Sequence, residues 1–240
     1  MMRFIGLFYL PFFHMSRELI KKTVGYRAAD LIEDGMLVGL GTGSTAHFFI
    51  ERLIQRHQEG LNVQVIASSE NSLRQAQDGH LPLLDIDTVS FLDVTVDGAD
   101  QIDSKKRMIK GGGGAHVREK IVASMSREMI VIVDESKLVS ELGNCKLPVE
   151  ILPFAPLSTW HSIKKAGYEG VFRLAQDGSK FITDNGNYLI DIPFKHTISS
   201  PEQTHLTLLQ LPGVVDTGLF LNLAGRIIIG FFDGQIVIRP

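Results

Sequence analysis

Short apolar runs alternate with amphipathic segments from Ser16 to Val133, and this rhythm leaves the chain few architectures. Leu19, Ile20, Val24, Ala28, Leu31 and Ile32 recur every three or four residues, predicting a helix over 16–33 with Ser16 as its N-cap and Gly35 closing it. The runs Met36 to Leu40, Val63 to Ala67, Phe91 to Val96 and Ile130 to Val133 are too short for buried helices and read as strands. Helices are expected between them, over 46–55, 69–77 and about 115–126. Strands separated by single helices and short loops predict an α/β fold with a parallel, doubly wound sheet. Near Asn144 the pattern breaks. Pro148, Pro153 and Pro156 puncture the next stretch. A helix over 159–166, strands over 170–174, 181–183 and 188–192, a helix over 201–211 and a strand after Gly213 then suggest an α+β module. The tail from Leu219 to Ile238 returns to apolar strands suited to rejoining the first sheet.

A length of 240 residues fits one or two domains. The 24 basic and 27 acidic residues leave a net charge of −3, which argues against a nucleic-acid partner bound by broad phosphate neutralisation. Cys145 is the sole cysteine, so no intramolecular disulfide forms and a reducing cytoplasm is the expected location. The eight histidines show no H-x-x-x-H spacing, and no metal site is expected. The run Phe4 to Phe13 is half the length of a membrane helix, is broken by Pro11, and lacks a small-x-small cleavage pattern. Residues 1–15 are therefore read as an apolar extension, with no membrane partner.

Three segments can carry chemistry. Gly41-Thr42-Gly43-Ser44-Thr45 lies at a strand-to-helix junction, where glycines permit a sharp turn and free helix amides can hold an anion. An ordinary capped turn would look the same. Asp97-Gly98-Ala99-Asp100 ends a predicted strand, at the edge where open α/β sheets gather ligands, although a turn followed by a cap also fits. Lys110-Gly111-Gly112-Gly113-Gly114 is the most unusual, because four glycines cost backbone entropy unless the main chain must approach a ligand or another segment closely. Arg118, Glu119 and Lys120 ride the helix that follows. No Gly-x-Ser-x-Gly elbow occurs, and Cys145 has no histidine near it in sequence.

Together Gly41 to Ala46, Val96 to Asp100, Ile109 to Gly113, Arg118 to Lys120, Asp134 to Lys137, Leu147 to Glu150 and Thr183 to Asn187 resemble, in order and spacing, the type A ribose-5-phosphate isomerase family. Gln101, Leu73 and His116 depart from the family pattern. The resemblance implies a Rossmann-like catalytic domain formed by residues 16–143 and 219–240, with a smaller α+β, ferredoxin-like domain over 144–218. It implies aldose–ketose isomerisation of D-ribose 5-phosphate and D-ribulose 5-phosphate in the pentose phosphate pathway, with no cofactor and no metal. Glu119 would shuttle the proton and Lys110 would stabilise the developing oxyanion. Asp97 and Asp100 would hold sugar hydroxyls and assist ring opening, with Gly98, Ala99, Gly111, Gly112 and Gly113 beside them. The loop Thr42, Gly43, Ser44 and Thr45, with Lys137 and Lys21, would bind the phosphate. Family members are commonly homodimers or homotetramers. A phosphosugar sensor or carrier, or a phosphosugar deaminase or lactonase, is the competing reading; Glu119 and Lys110 together favour the isomerase, since a sensor needs no proton shuttle.

Overall fold

The computed structural model of the chain describes residues 15–240, so the apolar run at 4–13 lies outside the described residues. The fold is anchored from Met15, whose N–H donates to the Phe232 carbonyl at 2.9 Å. Ser16 caps α1 (Arg17–Ala29) by accepting the Leu19 N–H on its hydroxyl at 3.2 Å, the contact that satisfies an otherwise orphaned helix donor. There follow β1 (Leu37–Leu40), α2 (Ser44–Gln58), β2 (Gln64–Ala67), α3 (Glu70–Asp78), β3 (Val94–Asp97), β4 (Gln101–Ile102), β5 (Met108–Ile109), α4 (His116–Ser124) and β6 (Met129–Asp134). The second half holds β7 (Lys146–Ile151), α5 (Pro156–Lys165), β8 (Val171–Phe172), β9 (Tyr188–Pro193), α6 (Pro201–Leu209), β10 (Val214–Thr217), β11 (Leu219–Phe220), β12 (Ala224–Gly230) and β13 (Ile236–Arg239).

Six strands form the central sheet in the order β13-β12-β6-β3-β1-β2, all neighbours parallel except the edge pair β12 and β13. Every residue of β6 is buried, and its alternate side chains enter different cores. Ile130 and Ile132 pack with Ile20, Val24, Phe49 and Leu53 of α1 and α2, while Met129, Val131 and Val133 pack with Ala123 of α4. Burial on both faces explains why these strands read as continuous apolar runs rather than alternating ones. The expected doubly wound parallel sheet is thus present, and β12 and β13 do rejoin it.

A second, antiparallel sheet runs β10-β7-β9-β8 and has its own core of Leu147, Val149, Ile151, Ile163, Ile190, Ile192 and Leu208. Its central strand β7 crosses a stretch that the prolines had marked as irregular. Pro148 is tolerated there for a local reason. Its carbonyl accepts the Gly218 N–H at 2.7 Å, so its ring nitrogen faces the same side, beyond the end of β10; the Gly218 carbonyl takes the Lys110 N–H at 2.9 Å instead. The missing donor is therefore not needed. A small sheet of β11, β5 and β4 links the two larger ones. Two further expectations change: residues 181–183 form only an isolated bridge, Ile182 to Tyr188, and β3 starts at Val94 because Leu92 donates instead to the Met125 carbonyl. No helix among the described residues is long and apolar enough to cross a membrane.

Candidate active site

The carboxyl ends of β1, β3 and β6 open onto one cleft with a cavity volume of about 120 Å³. Beyond β1 the chain turns through Gly43, whose φ of +105° is a backbone conformation that side chains disfavour. α2 then begins without a side-chain cap, leaving the N–H groups of its first turn facing the cleft mouth, where partial positive charge accumulates. Lys21 reaches over from α1 and donates to the Ser44 hydroxyl at 2.9 Å. At the end of β6, Asp134 accepts the Ser136 N–H at 3.0 Å and sets the turn that brings Lys137 to the same wall.

Asp97 is fully buried, and it ties two loops together: Oδ1 accepts the Thr42 N–H at 3.0 Å and the Gly98 N–H at 2.7 Å. Lys110, just past β5, donates from Nζ to the Gly98 carbonyl at 2.6 Å. The same ammonium lies 3.0 Å from Asp97 Oδ2 and 3.3 Å from Glu119 Oε2, two oxygens that accept no hydrogen bond of their own. Asp100 accepts the Gly112 N–H at 2.8 Å, fastening the glycine loop to the strand end opposite. At Gly111, φ is +101°, and an added Cβ would fall 2.9 Å from His116 Nδ1. That position needs glycine on both counts.

Two carboxylates share one ammonium here, and burial decides the outcome. Burial pushes the Glu119 carboxyl up to about 8 against the pull of Lys110, with the neighbouring Asp97 adding to the rise. Asp97 is raised by burial as well, but Lys110 and its two backbone donors favour its ionised form. Glu119 has no such backbone donors on Oε2, which leaves burial the dominant influence on its carboxyl. Burial on its own would lower Lys110; the charges of Asp97 and Glu119 outweigh it and hold the ammonium above its usual range. Behind the loop, burial lowers His116 to about 4, so that imidazole is neutral. Cys145, whose thiol burial pushes up to about 11, takes no part in the cleft.

The cleft wall comprises Lys21, Thr42, Gly43, Ser44, Thr45, Gly98, Ala99, Asp100, Lys110, Gly111, Gly112, Gly113, Glu119, Ile132, Val133 and Lys137. The structure therefore gathers every candidate from the sequence except Asp97, which stands beneath the wall. The Thr42 hydroxyl is already engaged with Ser69 at 2.8 Å and Ser68 at 2.9 Å, and its N–H with Asp97 at 3.0 Å. Ile132 and Val133 had not been singled out, although their place at the carboxyl end of a predicted strand was a usable signal. Arg173, which reaches the glycine loop from the second sheet, had no sequence signal. Among the described residues no group of three or more His, Cys, Asp or Glu side chains is arranged to hold a metal ion.

Two motifs of the resemblance carried no assigned role, and the structure shows what they touch. Glu150 is fully buried on β7, and its Oε1 accepts from Thr183 Oγ1 at 3.1 Å, Asn185 Nδ2 at 2.9 Å and Asn187 Nδ2 at 2.8 Å. The loop so shaped receives Arg118 from α4, through Nε to Asn185 Oδ1 at 2.8 Å and Nη2 to the Asp184 carbonyl at 2.7 Å. A carboxyl that titrates near neutrality beside an ammonium can move a proton on and off carbon while the cation stabilises oxygen charge. Two lysines and a helix N-terminus in the same cleft can hold a dianion.

The family model for ribose 5-phosphate isomerase A (phosphoriboisomerase A) matches residues 64–234. The ribose-5-phosphate isomerase A of Protochlamydia amoebophila is 50% identical over 215 residues, covering 90% of this chain and 93% of that one. Among solved structures, ribose 5-phosphate isomerase A from Methanocaldococcus jannaschii superposes with a TM-score of 0.86 at 37% identity, over 93% of this chain and 100% of the other. A D-ribose-5-phosphate isomerase in complex with phospho-erythronic acid gives 0.87 at 33% identity, over 94% and 100%.

Proposed function

The chain belongs to the ribose 5-phosphate isomerase A family, and from that we propose that it interconverts D-ribose 5-phosphate and D-ribulose 5-phosphate, with Glu119 as the group that moves the carbon-bound proton. The observation that carries the assignment is the buried Glu119 carboxyl, whose Oε2 lies 3.3 Å from Lys110 Nζ, with no other polar partner, on the wall of the cleft.

In the forward direction the ionised Glu119 removes the proton from C2 of the open-chain aldose. The C–H electron pair becomes the C1–C2 double bond of an enediolate, and the charge gathers on O1 beside Lys110. Glu119 then returns the proton to C1 while the O2 hydroxyl proton moves to O1, leaving a ketone at C2. Atoms and charge balance without a redox partner. A carboxyl near pH 8 in affinity suits both halves, since it must accept a proton and give it back. Asp100 holds sugar hydroxyls and assists ring opening. Asp97 supports from below, fixing Lys110 and the Thr42 backbone. The phosphate occupies the α2 N-terminus with Ser44, Thr45, Lys21 and Lys137, supplying binding energy remote from the reacting carbons. The bound phospho-erythronic acid of the related isomerase supports an acidic phosphosugar in such a site.

Separate sheets and separate cores support a division into residues 16–143 with 219–240 and residues 144–218. A homodimer or homotetramer in the cytoplasm completes the reading, on the habit of the family. A sensor or carrier would have no use for a raised carboxyl beside an ammonium. Purified, chelator-treated protein should convert ribose 5-phosphate to ribulose 5-phosphate and, in deuterated water, place deuterium at C1 of the ketose. Absence of turnover would overturn the assignment.

A further inference from the structure

Four consecutive glycines have little conformational preference of their own, yet the loop must present one backbone geometry to the cleft. The structure shows what restrains it from outside. Arg173, next to β8 in the second sheet, donates from Nη1 to the Gly111 carbonyl at 3.0 Å and to the Gly112 carbonyl at 3.1 Å. Its other nitrogens are locked on Asp191 of β9, with Nε 3.0 Å from Oδ2 and Nη2 2.5 Å from Oδ1. Its backbone is equally fixed, donating to the Leu189 carbonyl and accepting from the Phe181 N–H, both at 2.9 Å. The guanidinium also lies 5.8 Å from the Phe181 ring centroid, and that ring abuts Gly114.

A trans peptide points its carbonyl and its N–H in opposite directions. Holding the 111 and 112 carbonyls toward Arg173 therefore turns the Gly112 and Gly113 N–H groups away from it. The Gly112 N–H meets Asp100, and Gly113 lines the cleft. We propose that Arg173, oriented by Asp191, is a positioning residue that preorganises the glycine loop for substrate, so that the second sheet sets the affinity of a site lying outside that sheet. The inference rests on the isomerase reading above and adds a residue to it.

Loss of the guanidinium frees the loop to sample other conformers, and the apparent affinity falls by the fraction of time the competent one is occupied. Arg173→Ala is expected to raise KM at least about tenfold with kcat within about threefold of the parent, because saturating substrate selects the competent loop. Arg173→Lys, whose ammonium can still donate to both carbonyls, should recover part of the KM, and added guanidinium salt should do the same for the alanine variant. A purely structural Arg173 would instead lower the unfolding midpoint and the active fraction while leaving KM alone. Folded Arg173→Ala with parental KM overturns the proposal. Where the alanine variant does not fold, Arg173→Gln and Arg173→Lys decide, a raised KM supporting it and parental KM in both overturning it. Failure of the isomerase reading is distinct, since the parent protein would then show no turnover.

Discussion

Glu119 holds its proton to about pH 8, and that single displacement has two measurable consequences. The base must be ionised to act, so log kcat/KM should climb between pH 6.5 and 8 and level above it, a range that lies beyond the second ionisation of a substrate phosphate near 6. A flat profile would take the role from Glu119. The stability effect has the opposite sense. A carboxyl raised in the folded state contributes most favourably below its ordinary value of 4.5, and the contribution is lost as pH rises through about 8. Glu119→Gln should therefore unfold later relative to the parent at pH 8.5 than at pH 5, while turnover drops by at least about 10²-fold and substrate binding persists. Comparing melting midpoints at both pH values checks the first, and steady-state kinetics the second. Lys110→Ala should depress kcat more than it raises KM, because an ammonium at a developing oxyanion acts mainly in the transition state. A change confined to KM would make Lys110 a binding group. At this scale the sequence singles out the residues that matter, but the hold on sugar hydroxyls it implies for Asp97 meets a carboxylate directed at Thr42, Gly98 and Lys110 rather than at the cleft.

Among the elements, the expected helices and parallel strands appear close to their predicted positions because propensity, periodicity and burial agree there. Strand β7 is the instructive exception. Pro148 within it and Pro153 and Pro156 just beyond argue against regular structure, and pairing with β9 through six residue pairs overrides this where the one missing N–H faces no waiting carbonyl. Glu150 on this strand shows how much one element depends on another. Its carboxylate gathers Thr183, Asn185 and Asn187, which shape the loop that clasps Arg118. Glu150→Ala leaves the buried Thr183 and Asn187 donors unpaired and should cost about 2–5 kcal/mol of stability, read from urea unfolding. A loss under about 0.5 kcal/mol would show that the loop holds its shape without Glu150.

For the whole molecule, the described fold is anchored at Met15 and Ser16, through the bond to Phe232 and the cap on α1. A chain shortened to begin at Met15 should match the full-length protein in kcat/KM and unfolding midpoint, and stay dispersed at higher concentration because the apolar run at 4–13 is gone. Light scattering and kinetics on both chains test this, and lost activity would assign residues 1–14 a part in the fold. Local patterning by itself determined the alternation of helices and strands, the parallel sheet, and the three glycine- and aspartate-bearing loops at its edge, since each depends on neighbours within a few residues. Only the tertiary structure decided which carboxylate faces the cleft and which lies beneath it, that burial raises the Glu119 carboxyl beside Lys110, and that Arg173 grips the glycine loop. Those outcomes depend on burial and on contacts between residues some 60 positions apart in the chain, and neither leaves a periodic mark in sequence.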